Sequence, residues 1–114
     1  MIRPLKIDQA QFGAKVGRHM REFRRNPANK HDRKWLEEHI QKIYTQPDEI
    51  RDGTFSGQGE VTESGANARG PVWFYAKGKD VVVTDKEDNF VTILKDGTID
   101  STSYKSATRL TYRP

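Results

Sequence analysis

The chain has no cysteine, and only 33% of its 114 residues are apolar, with a mean hydropathy of −0.91. The missing thiols exclude a disulfide framework, zinc–thiolate sites and thiol catalysis, and leave the redox compartment open. No apolar run approaches the roughly 18–20 residues of a membrane span. The N-terminus carries Arg3, Lys6 and Asp8 and no apolar core, so it does not read as a signal peptide. The few apolar residues are clustered rather than scattered, which argues for a compact fold with a large polar surface rather than disorder. The length suits one domain with one modest core.

Charge is abundant and uneven. Residues 1–35 hold ten Lys/Arg against three Asp/Glu, net +7; residues 36–66 hold two against seven, net −5; residues 67–114 hold eight against six, net +2. A basic front end beside an acidic middle suggests an anionic ligand on one side. A solvated charged surface is the competing explanation.

Periodicity divides the chain at about Gly53. Phe12, Val16, Met20 and Phe23 recur at helical spacing and predict a helix over 11–23, weakened by Gly13 and Gly17. A second helix is predicted from Asp32 as N-cap to about Thr45, with Trp35, Leu36, Ile40, Ile43 and Tyr44 as its apolar stripe and Pro47 as its stop. Residues 48–53 read as a turn. Residues 54–61 are glycine-rich and make at best an edge strand, and 62–70 a polar loop. Three strands are then predicted, over 71–77, 80–84 and 89–95, joined by hairpin-sized connections at Gly78-Lys79 and 85–88. Val81-Val82-Val83 should be central and buried on both faces. The expected class is α+β, with N-terminal helices packed on a twisted antiparallel sheet of about four strands. The expected layout of this single domain is an arm (1–10), a helical part (11–53), the sheet (54–97) and a C-terminal tail (98–114), the tail adding a short strand or helix.

The chemistry-bearing residues concentrate in Lys15-Val16-Gly17-Arg18-His19-Met20-Arg21. On a helix Lys15 and His19 share a face. Cations beside a histidine favour its neutral form, the form a general base requires, and also bind phosphate. Metal-free ribonucleases need that combination. His19 is therefore the candidate base on a ribose 2′-OH or acid on the 5′-leaving oxygen, with Lys15 and Arg18 stabilising charge on the phosphoryl oxygens. Arg21, Arg24 and Arg25 extend the cationic surface. In strand 71–77, Val72, Phe74 and Ala76 are expected to face inward. Trp73, Tyr75 and Lys77 form the other row, suited to stacking bases and gripping a backbone; coverage of both faces is the alternative. Thr92 is the polar residue within an apolar strand, able to bond a phosphate or pair across the sheet, and Lys95 could add a cation at the strand end. His31 sits near a helix N-terminus, where the dipole favours anions such as phosphate. His39 lies near the apolar stripe and reads as a packing residue. The three histidines have no metal-binding spacing, and no metal or cofactor is expected.

Taken together, the Lys-x-x-x-His segment, Ile40-x-x-Ile43-Tyr44-Thr45-Gln46-Pro47-Asp48-Glu49-Ile50-Arg51-Asp52-Gly53, the run from Val72 to Asp85 and Asn89-Phe90-Val91-Thr92-Ile93-Leu94-Lys95-Asp96-Gly97 resemble a colicin D-like toxin domain. Such domains occur at the C-termini of contact-dependent growth-inhibition effectors. The resemblance spans about Phe12 to Gly97 and implies the barnase/EndoU/colicin/RelE fold. It also implies a metal-independent tRNA endonuclease, often cutting the anticodon loop, and a cognate immunity protein, expected to be acidic. The family's histidine falls on His19, its cations on Lys15 and Arg18, its late-strand hydroxyl on Thr92, and its aromatic on Trp73 or Tyr75. Lys15 departs from the pattern by lying four residues before His19. The domain would be released from a larger secreted effector and act in the cytoplasm of a target bacterium, with elongation factor Tu as a candidate host factor and no membrane anchor. A non-catalytic RNA- or protein-binding module uses the same basic and aromatic surface, and remains the alternative.

Overall fold

The computed structural model describes residues 3–5, 7, 20–26, 28–55 and 70–114. The long helix α1 runs from Lys30 to Thr45. It starts earlier than the sequence suggests, because the Asn29 side chain, not that of Asp32, accepts the N–H groups of His31 and Asp32 and so satisfies the open first turn. Asp32 turns back instead to accept the Asn26 N–H at 2.9 Å. Leu36, Ile40, Ile43 and Tyr44 form the buried stripe, as the periodicity predicts.

Five antiparallel strands follow: β1 (Glu49–Phe55), β2 (Gly70–Lys77), β3 (Asp80–Asp85), β4 (Phe90–Leu94) and β5 (Thr108–Arg109), in the order β4-β3-β2-β1-β5. The short helices α2 (Gly97–Asp100) and α3 (Thr102–Ser106) stand between β4 and β5. The α+β class is as expected, with one strand more than the sequence suggests. The predicted turn at 48–53 is corrected: β1 occupies it, pairing with β2 from Glu49↔Ala76 to Phe55↔Gly70. Its Asp, Glu, Arg and Gly residues mask the strand signal, since β propensity reflects packing on a sheet more than intrinsic preference.

Local chemistry sets the hairpins. Gly78, at φ +61°, makes the tight β2–β3 turn available without a Cβ penalty, and its N–H donates to Asp48 Oδ2 at 2.9 Å. At the next turn the Asp85 carboxylate accepts the N–H groups of Glu87 and Asn89. The β3–β4 register shifts between Val83 and Thr84, whose partners are Thr92 and Phe90. Val91 is thereby left as the extra residue of a bulge.

Two cores lie on opposite faces of the sheet. On one, Leu5, Met20 and the α1 stripe bury Ile50, Tyr75, Val82 and Ile93. On the other, Val72, Phe74, Ala76, Val81, Val83 and Val91 pack with Tyr104 of α3. Val81, Val82 and Val83 are all fully buried, as expected of a central strand. The N-terminal arm is strapped to α1 by a reciprocal pair, the Leu5 N–H donating to Gln41 Oε1 and Gln41 Nε2 donating to the Leu5 carbonyl, both at 2.8 Å.

The C-terminal segment is pressed tightly against β1. A methyl group at Gly53 would lie 2.7 Å from Ala107 Cβ and 3.2 Å from Phe74 Cε2. Gly53→Ala, a change that ordinarily stabilises a chain, is therefore expected to cost about 1–3 kcal/mol here. Urea denaturation checks it; an unchanged midpoint would mean that Ala107 yields freely.

Candidate functional site

One group of cationic residues within the described region lies on and just before the N-terminal end of α1. Arg21, Arg24, Lys30, Arg33 and Lys34 are all exposed, and Lys30, Arg33 and Lys34 share a helix face by spacing. Residues 20–22 are helical. Met20 is 1% exposed among the residues of the α1 face, which anchors the end of the basic segment there. Lys15, Arg18 and His19, the centre of the predicted site, lie outside the described residues, as does most of the predicted 11–23 helix.

Arg25 carries this surface onto an aromatic group. Its guanidinium sits 4.1 Å from the Trp35 ring centroid and reaches Asp32 at 3.4 Å. The His39 ring stacks on Trp35, with centroids 5.2 Å apart and planes 13° apart, one helical turn on. Phe23 meets both rings edge-on, at 5.8 and 5.6 Å. His39 thus has the packing role the sequence suggests, and a polar one that it does not. Its Nε2–H donates to Asp80 Oδ2 at 2.8 Å, while Asp80 Oδ1 accepts the Asp96 N–H at 3.0 Å. Burial pushes the Asp80 carboxyl up, but the hydrogen bonds from His39 and Asp96 and the charges of His39 and Lys95 hold it below the ordinary carboxylate value. Asp80 is therefore an ionised acceptor that fixes the imidazole. Nothing local announces this pair, since 41 residues separate its members.

The remaining predicted residues are dispersed. Tyr75 is corrected: it is 1% exposed, its hydroxyl donating to Asp88 at 3.2 Å and its ring tilted against Tyr44 at 4.8 Å. Burial raises its pKa far above the usual tyrosine value. The Trp73/Tyr75/Lys77 row is therefore no open stacking platform, because α1 covers it. Trp73 is partly buried against the α1-side core, with the Lys86 ammonium 4.7 Å from its ring and Lys86 paired with Asp52. Lys77 Nζ donates to the Gln46 carbonyl at 3.0 Å and lies 3.8 Å from Asp48, tying β2 to the end of α1. Lys95 Nζ is 3.5 Å from Asp96. Thr92 pairs with Val83 beyond the bulge and is partly buried. Of the predicted cations among the described residues, Arg25 and Lys95 are linked to the His39–Asp80 pair, Arg25 through Trp35 and Lys95 through its charge beside Asp80.

A second polar constellation holds the C-terminal segment. The Glu49 carboxylate accepts the Tyr104 hydroxyl and pairs with Arg51 Nε and Arg109 Nε, each at 3.3 Å. The Tyr104 hydrogen bond is the main reason the Glu49 carboxyl lies below its usual value, with Arg51 and Arg109 adding to it against the opposing effect of burial. Burial, then Glu49, push the Tyr104 phenol up to about 12. Arg51 lies over the Tyr104 ring at 4.2 Å and donates to the Tyr104 carbonyl at 3.0 Å. With Tyr104 only 3% exposed, this constellation is a clasp rather than an accessible reaction centre.

Among the described residues no group of three or more His, Asp or Glu is placed to hold a metal ion, and no helix is long and apolar enough to cross a membrane. The fold thus defines an open, five-stranded antiparallel α+β domain with a cationic end. No protein-family model, curated protein or solved structure matches the chain.

Proposed function

We propose that this domain is a metal-independent tRNA endonuclease acting as an antibacterial toxin, with a barnase/EndoU/colicin/RelE-like fold. In this reading the 2′-OH attacks the adjacent phosphorus and the 5′-oxygen departs, leaving a 2′,3′-cyclic phosphate in the anticodon loop. The observation that carries the reading is the exposed cationic surface of Arg21, Arg24, Lys30, Arg33 and Lys34. It continues along the chain from Lys15, Arg18 and His19, and it adjoins Arg25 on Trp35. Phosphate contacts supply most of a nucleic-acid binder's affinity, and a neutral histidine among them supplies proton transfer. Lys15 and Arg18 steady the phosphoryl oxygens and His19 moves a proton. Thr92 has no part in this reading, because its cross-strand partner Val83 belongs to the core on the far side of the sheet from α1. The partners are tRNA and an acidic immunity protein, with elongation factor Tu as a host factor. The setting is a larger secreted effector acting in the target cell's cytoplasm.

The same surface favours a second reading, a non-catalytic RNA- or protein-binding module, because phosphate binding by Arg and Lys needs no proton acceptor. Incubating the domain with total tRNA and EDTA separates the two. Cleavage at a defined site, with cyclic-phosphate and 5′-hydroxyl ends, is the expected result. Salt-sensitive binding that leaves tRNA intact, even with elongation factor Tu added, would assign the binding module instead.

A further inference from the structure

Metal-free cleavage of an RNA phosphodiester involves two proton transfers: one from the 2′-OH as it attacks, one to the 5′-oxygen as it leaves. His19 can perform one of them, and the other has no assigned group. His39 has the geometry for it. A histidine that donates Nε2–H to a carboxylate is held in the tautomer whose Nδ1 lone pair is free to take a proton. Among the described residues Nδ1 has no hydrogen-bond partner, and the side chain is 27% exposed. The ring cannot tumble, because Trp35 stacks on one face and Phe23 abuts it. Arg25 on Trp35, and Lys95 beside Asp96 with its charge acting on Asp80, add cations near the pair, where a polyanionic backbone could be gripped.

We propose that His39, oriented by Asp80, is the general base that removes the 2′-OH proton. The inference rests on the nuclease reading above. As the O2′–P bond forms and the P–O5′ bond breaks, His39 Nδ1 takes the 2′ proton. The resulting imidazolium is stabilised by the ionised Asp80, which acts as a positioning residue and stays unprotonated. The leaving 5′-oxygen receives its proton from another group, His19 in the reading above. The products are a 2′,3′-cyclic phosphate and a 5′-hydroxyl, and the borrowed protons return through solvent. His39 thus serves as a catalytic residue and Trp35 as the plate that aims it.

The test uses the whole domain and a synthetic stem-loop RNA containing the cleavage site mapped in tRNA, made with either oxygen or sulfur at the bridging 5′ position. A thiolate leaves without a proton, so the sulfur substrate relieves the loss of a general acid but not of a general base. His39→Gln keeps a donor for Asp80 and cannot accept the proton. It is expected to slow cleavage of both substrates by about 10²–10⁴-fold with RNA binding retained. Cleavage of the oxygen substrate within about threefold of wild type, or a defect relieved by sulfur, would overturn the assignment while leaving the nuclease reading intact. A wild-type domain that cuts neither RNA nor tRNA removes the nuclease reading itself. Should His39→Gln melt below the assay temperature, Asp80→Asn decides. A loss of at least about tenfold on both substrates supports the pair, and a wild-type rate sinks it.

Discussion

Phe74→Ala is expected to lower the free energy of unfolding by about 3–5 kcal/mol. That is a large share of the roughly 5–15 kcal/mol that holds a domain of this size together. Phe74 is fully buried on β2, the middle strand of five, and pairs with Arg51 of β1 and Val83 of β3. Its ring meets Tyr104 edge-on at 5.9 Å and 83°, so truncation removes both the buried area and the surface on which α3 rests. The rigid strands on either side prevent the cavity from collapsing. The expected readout is a fall in the urea midpoint together with early protease cleavage in the C-terminal segment. A loss below about 1 kcal/mol would mean that α3 contributes little to covering this face.

Glu49→Ala is expected to cost about 3 kcal/mol at neutral pH and to free the C-terminal segment from β1. The change leaves Arg51 and Arg109 side by side without their carboxylate, and leaves the buried Tyr104 hydroxyl without its acceptor. Stranding such partners costs more than the pair itself gains. The sign of the pH dependence follows from the direction of the shift. Because the folded Glu49 carboxyl lies below its unfolded value, its stabilisation is fully present above about pH 4.3. It is lost as pH falls through the folded value. Wild type and variant should therefore differ most near neutral pH and converge as pH falls through the folded value. Tyr104 acts at the other end: its folded value of about 12 means that its contribution is complete below about pH 10 and lost as pH rises towards 12. Chemical denaturation as a function of pH measures both limbs. A Glu49→Ala penalty that persists unchanged at pH 3 would show that lost packing, not charge, is the cause.

The readable parts of the fold were those whose signals are local. β2, β3 and β4 declare themselves by β-branched and aromatic residues bounded by turn chemistry, and the predicted spans agree with the structure to within a residue at each end. The stripe of α1 follows from its 3.6-residue period. β1 stayed hidden because Glu49-Ile50-Arg51-Asp52-Gly53 is strand only by virtue of pairing with β2 and β5. Two-residue β5 carries too little pattern to be placed, although the sequence does suggest a short strand or helix somewhere in the tail. For the site, alternation correctly placed Trp73 and Tyr75 on one face, but alternation says which residues share a face and not whether another layer covers it. Tyr75 therefore read as a stacking group and proves to be core.

The amino-acid sequence by itself determined the α+β class, the central position of Val81–Val83, the cationic front end and the candidate proton carrier within it. These rest on composition, period and neighbouring residues, all of which act over a few positions of the chain. Tertiary structure alone decided that the sheet is covered on both faces, that Glu49 clasps the C-terminal segment, and that His39 stands against Asp80. Each depends on groups tens of residues apart meeting at hydrogen-bond distance. Such meetings are set by strand order and register, and no local pattern encodes them.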